Sequence, residues 1–182
     1  TTSGGNTGAD CSNAHSAAWF NANATGGNTY HLCGTFTGTT GQNMLTVPTG
    51  TAGNIITVLF ESGTVMTAPY WGSNDGSYPT GGAITINGSY VTIDGGTNGI
   101  IQNTLNGASG FTCTGGPCTD HLSAGIYIPE GKNNIEIKNL IIKDIFLCGG
   151  ATTCNSGFAS NIKASGSHSN ISIHDNTLNG AG

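Results

Sequence analysis

Asp120, His121 and Lys163 are the residues whose types suit proton transfer. A carboxylate or imidazole can accept or deliver a proton, and a lysine can serve as base or neutralise a developing negative charge. Near them in sequence stand aromatics, Tyr70, Trp71, Tyr78 and Tyr127, whose flat faces beside polar groups suit a sugar ring. The plainer alternative is that these aromatics fold their loops back onto the body of the protein. A second set lies at regular spacing: Asp94, Lys138 and His174 at one position of a recurring strand, with Thr92, Glu136 and Ser172 at another. Such a row could hold an Asp–Lys pair with a histidine titrating beside it. It reads more simply as a solvated sheet face with weak ion pairs. His15, His31 and His168 are isolated in sequence and read as surface or turn residues.

Six cysteines provide further chemistry: Cys11, Cys33, Cys113, Cys118, Cys148 and Cys154. Cys113–Cys118 and Cys148–Cys154 each bracket a short glycine-containing loop, leaving Cys11 for Cys33. Zinc binding would want Cys-x2-Cys spacing, which neither close pair has. Disulfides are therefore expected, and with them a secreted or cell-surface setting.

The elements that must position these groups are set by composition. Gly, Thr, Asn and Ser make up about half of the 182 residues, and only 7% are charged. Those four types are poor helix formers, while a net charge of −5 is too small to enforce disorder. An all-β, turn-rich protein is left. There is no arginine, and Lys132, Lys138, Lys143 and Lys163 are scattered, so a nucleic-acid partner is not expected. No apolar run is long enough for a membrane span. The first residues carry no leader pattern, so a secreted form is expected to be already processed.

Self-similarity sharpens the picture. Residues 83–95, 125–139 and 160–175 each contain a short strand A, a polar turn and a strand B with strict apolar alternation. Val91/Ile93, Ile135/Ile137 and Ile171/Ile173 then share one face. A short strand C follows at 99–102, 140–143 and 177–178, and residues 44–67 form a looser copy. The unequal spacing is absorbed by loop insertions at 68–82, 103–122 and 146–158, all between strand C and the next strand A. Insertions confined to one corner are what a solenoid tolerates. An antiparallel meander is the competing arrangement, because alternation alone does not fix strand direction. Residues 1–28 are expected to form an N-terminal segment with a short capping helix within 10–23, N-capped by Asp10 or Ser12. Residues 29–182 would carry the coils of the same single domain. Asn139 and Asp175 or Asn176 fall at the tight B-to-C turn, where left-handed backbone angles are needed.

The segments Gly27–Phe36, Thr49–Val58, Asn134–Asn139 and Asn170–Asn176 resemble the coils of right-handed parallel β-helix proteins of the pectate-lyase-like superfamily. In the opening coils the resemblance is to the chondroitinase-B and alginate-lyase branch. It implies a right-handed parallel β-helix with a polysaccharide groove along strand A, where Thr85, Tyr127 and Asn161 or Lys163 would face outward. Lys163, Asp120 and His121 are the catalytic candidates there, and Tyr127, Trp71, Tyr78 and Tyr70 the substrate-binding ones. Calcium is expected only with a lyase, and otherwise no cofactor. The chain departs from the family's lyases in lacking arginine and clustered carboxylates on strand A. It also lacks the close aspartates of the family's hydrolases. The leading expectation is a structural or glycan-contacting module without a complete active site, self-assembling through an open last coil. The alternative is a polysaccharide lyase or glycoside hydrolase whose catalytic coils lie further along a longer chain. Expected partners are a polysaccharide or other copies of the chain.

Overall fold

In a computed structural model the chain is described for residues 7–72, 81–104, 123–145 and 159–180. A one-turn 3-10 helix, Cys11–Asn13, precedes α1 (Ala17–Asn23). The first two coils contain β1 (Thr29–Leu32), β2 (Thr35–Thr37), β3 (Leu45–Val47), β4 (Ile56–Phe60) and β5 (Val65–Ala68). Next come β6 (Ile84–Ile86), β7 (Val91–Asp94), β8 (Ile100–Asn103), β9 (Ala124–Ile128), β10 (Asn133–Lys138) and β11 (Ile141–Lys143). The last coil has β12 (Ser160–Ala164), β13 (Ser169–His174) and β14 (Thr177–Asn179).

Every third strand stacks on its equivalent. Sheet A is β3-β6-β9-β12, sheet B is β1-β4-β7-β10-β13, and sheet C is β2-β5-β8-β11-β14. All ladders between these strands are parallel. The antiparallel meander is excluded, and the chain is a right-handed parallel β-helix.

The core forms because alternation and stacking agree. On sheet B, Ile56, Val91, Ile135 and Ile171 lie in register, as do Val58, Ile93, Ile137 and Ile173. Sheet C contributes Phe36, Met66, Ile101, Ile142 and Leu178. The β-branched side chains pack on the pleat with little rotamer freedom to lose. Each fully buried isoleucine contributes about 1.5–3 kcal/mol. The columns are sealed until the last coil, where Ile173 is 45% and Leu178 47% exposed.

The corners differ. From β10 to β11 and from β13 to β14 only two residues intervene, and Asn139 and Asp175 adopt φ of 59° and 54°. Short polar side chains tolerate that left-handed region. Asn139 donates to Asp94 Oδ1 at 2.9 Å. Asn176 donates to the Ile137 carbonyl at 2.9 Å and accepts from the Leu140 amide at 3.0 Å. Left-handed residues also open sheet B, at Tyr90 just before β7 and at Asn134 and Asn170, the second residues of β10 and β13. Two of these form an asparagine ladder, with Asn170 Nδ2 donating to Asn134 Oδ1 at 3.0 Å.

The cap corrects one sequence expectation. Asp10 caps only the 3-10 turn, accepting from the Ser12 amide. The α-helix starts afresh at Ser16, whose hydroxyl accepts from the Trp19 amide at 3.1 Å. The chain between them is extended at Ala14. Phe20 anchors α1 with 5% exposure, and the Cys11–Cys33 disulfide ties the 3-10 turn to the end of β1.

Candidate functional site

Strand A presents an outward column. Thr46 is in register with Thr85, Thr85 with Tyr127, and Tyr127 with Lys163. Neighbours in such a column stand about 4.8 Å apart. Thr85 is buried, whereas Tyr127 and Lys163 are half-buried. Asn161, the other candidate for this face, is 8% exposed and its Oδ1 has no hydrogen-bond partner. The open position is therefore Lys163's. The strands approach closely beside the column: a Cβ on Gly82 would lie 2.9 Å from the carbonyl oxygens of Ala124 and Gly125. Lys163 forms no ion pair among the described residues. A phenol ring and a cation thus stand one rung apart on a neutral strand.

The remaining candidates separate. Trp71 is fully buried. Its Nε1–H donates to the Gln102 carbonyl at 3.1 Å and its amide to Ser123 Oγ at 3.1 Å. The ring packs against Gly38, where a Cβ would sit 2.3 Å from it. A ring so enclosed fills the space between coils and presents no face for stacking on a sugar. Tyr70 is 8% exposed, and burial raises its hydroxyl above the ordinary tyrosine range. Asp120, His121 and Tyr78 lie outside the described residues, as do Cys113, Cys118, Cys148 and Cys154.

The polar row on sheet B is assembled in the register its spacing predicts. Lys138 stands between Asp94 and His174, and Glu136 between Thr92 and Ser172. Lys138 Nζ lies 2.9 Å from Glu136 Oε2 and 3.9 Å from Asp94 Oδ2. His174 Nε2 lies 3.2 Å from Glu136 Oε1, and its Nδ1 2.8 Å from Asp175 Oδ2. Thr92 donates to Glu136 Oε2 at 3.4 Å.

These contacts set the charge states. The Lys138 hydrogen bond holds Glu136 below its usual carboxylate range, and the reciprocal bond holds Lys138 above its own. His174 is raised, first by Asp175 and then by Glu136. A general base near neutrality needs a pKa near 7, whereas this network drives Glu136 and Lys138 away from it. The row acts chemically as an ion-pair ladder tying β13 to β10 and β10 to β7.

One pair escaped the sequence reading. His31 Nδ1 lies 2.5 Å from Glu61 Oε1, with the side chains 53% and 42% exposed. The pairing of β1 with β4 sets His31 opposite Leu59, and Glu61 stands two residues further along the chain. His15 stacks on Trp19 with ring centroids 3.8 Å apart, and His168 Nδ1 lies 2.9 Å from the Lys132 carbonyl oxygen. Among the described residues no three His, Cys, Asp or Glu side chains gather as a metal would require, and no helix is long and apolar enough to cross a membrane.

Compared with known proteins, the chain matches no family model, and no curated protein or solved structure matches it significantly.

Proposed function

We propose that this chain is a secreted or cell-surface β-helix module of the pectate-lyase-like kind, whose sheet A groove contacts an acidic polysaccharide. The observation that carries this reading is the Tyr127–Lys163 adjacency on the outward face of strands β9 and β12. A half-buried ring offers apolar contact to a pyranose, and an ammonium group one rung away offers its charge to a carboxylate or sulfate. The strands hold both backbones rigid, so the ordering cost of binding falls on the side chains alone. The Cys11–Cys33 disulfide supports an oxidising compartment. The ion-pair ladder on sheet B serves the scaffold.

Affinity electrophoresis and titration calorimetry with pectate, alginate and chondroitin sulfate test the reading. Lys163→Ala and Tyr127→Ala are each expected to weaken binding about tenfold, the loss of one good contact. Binding untouched by both substitutions would refute the groove. Formation of unsaturated uronate by the wild-type chain, lost in Lys163→Ala, would put a lyase in place of the binding module.

A further inference from the structure

A cleft of about 810 Å³ opens between the N-terminal cap and the first coil, at the other end of the stack from Lys163. Its size falls within the range of small-molecule sites, about 300–1,000 Å³. The cap supplies one wall, with Asp10 and Trp19; the coil supplies the other, with Tyr30, His31 and Glu61.

The lining combines two kinds of group. Trp19 remains 37% exposed, and His15 holds its indole by stacking at an interplanar angle of 10°. Tyr30 is fixed by the edge of Phe20 at 4.9 Å, and its hydroxyl accepts from the Thr25 amide at 2.7 Å. Across from Trp19, on the coil wall, is the His31–Glu61 pair. Nδ1 is turned to Glu61, and among the described residues neither His31 Nε2 nor the second carboxylate oxygen of Glu61 has a hydrogen-bond partner. Asp10 uses Oδ1 for the Ser12 amide and the Asn13 carboxamide.

We infer that this cleft is a second binding site, for an uncharged pyranose of a neutral glycan. Ring faces take the apolar side of a sugar, while paired carboxylate and imidazole groups take its hydroxyls. The charged groups named on its walls are carboxylates, and no lysine lines it, so an acidic sugar is repelled here. That preference is opposite to the Lys163 groove, which makes the two sites separable. The Cys11–Cys33 disulfide joins the two walls and keeps the cleft preformed.

The two tryptophans allow a direct test. Trp19 is exposed and Trp71 fully buried, so a ligand in the cleft perturbs only the former's fluorescence. Titration with cello-, manno- and chito-oligosaccharides is expected to give a saturable change with at least one of them and none with oligogalacturonate. By calorimetry, Trp19→Ala and Glu61→Ala should each raise the Kd about tenfold, while Tyr127→Ala and Lys163→Ala leave it unchanged. Glu61→Ala alters an exposed strand-end side chain and carries the test should Trp19→Ala loosen the cap. No saturable binding of any neutral oligosaccharide overturns the inference, as does binding indifferent to Glu61→Ala. Loss of acidic-glycan binding in the groove variants would leave this result untouched, so each site fails alone.

Discussion

Replacing Asn139 tests the tight corner between sheets B and C. The residue adopts φ of 59°, and its carboxamide donates to Asp94 Oδ1 at 2.9 Å. Alanine at this backbone angle costs about 1–2 kcal/mol, and losing a hydrogen bond to a partly buried carboxylate about 1.5 kcal/mol more. Asn139→Ala should therefore destabilise by about 3 kcal/mol. Asn139→Gly loses the same bond and raises the entropy of the unfolded chain, about 2 kcal/mol together, but escapes the steric penalty. Asp94→Ala removes the acceptor together with its contacts to the Gly96 amide and Lys138, so its loss sets an upper bound on the Asn139 bond. In a chain of this length 1 kcal/mol corresponds to roughly 2–4 °C in Tm. The expected losses are about 6–12 °C for alanine and about 4–8 °C for glycine, read by calorimetry or circular dichroism. Should Asn139→Ala melt no lower than Asn139→Gly, the left-handed corner is not where the stability resides.

Other outcomes follow from the same structure. Glu136, with its pKa lowered by Lys138, contributes stability above the ordinary carboxylate range that is lost as pH falls through its depressed pKa. His174, raised above 6.5 by Asp175 and Glu136, contributes stability fully present below 6.5 and lost as pH rises through its folded-state value. Melting curves against pH should show both flanks; His174→Gln should abolish the alkaline one and only reduce the acid one, because His174 is the lesser of the two partners that lower Glu136. Cys33→Ser opens a loop with a sequence separation of 22, worth about 3 kcal/mol by chain entropy; hydrogen exchange should find the loss concentrated in α1 and β1. Gly95→Ala places a Cβ 2.1 Å from the Asn139 carbonyl oxygen and should cost at least about 1–3 kcal/mol, as overpacking does, in urea denaturation.

Strand register was legible because the apolar alternation is strict. Val91, Ile135 and Ile171 align by eye and pair in space, and the polar columns follow from the period of two. The left-handed turn at Asn139 and Asp175 could be read from side-chain type. Trp71 could not: a tryptophan after an edge of strand C reads as a loop aromatic, and only the bare Cα of Gly38 beneath it reveals its slot. The cap was half legible, since both Asp10 and Ser16 are good N-cap residues and sequence alone does not say that two short helices share them. The His31–Glu61 pair was hidden by a separation of 30 residues and by the loose alternation of the first coil, which blurs its register. The candidate trio of Lys163, Asp120 and His121 drew two of its members from a loop in which the sequence has no periodicity, and those two lie outside the described residues.

The three corners of each turn carry unequal demands, and that inequality has a practical edge. Between β10 and β11, and between β13 and β14, two residues must bend the chain, whereas between Ala68 and Ile84, or Asn103 and Ala124, its length varies from one level to the next. A foreign peptide spliced into the latter corner should be carried without disturbing the spiral beneath, and several could be arrayed side by side at successive levels. The same graft placed beside Asn139 would pry adjacent levels apart. The molecule is in that sense a ready-made display rack with one permissive rail.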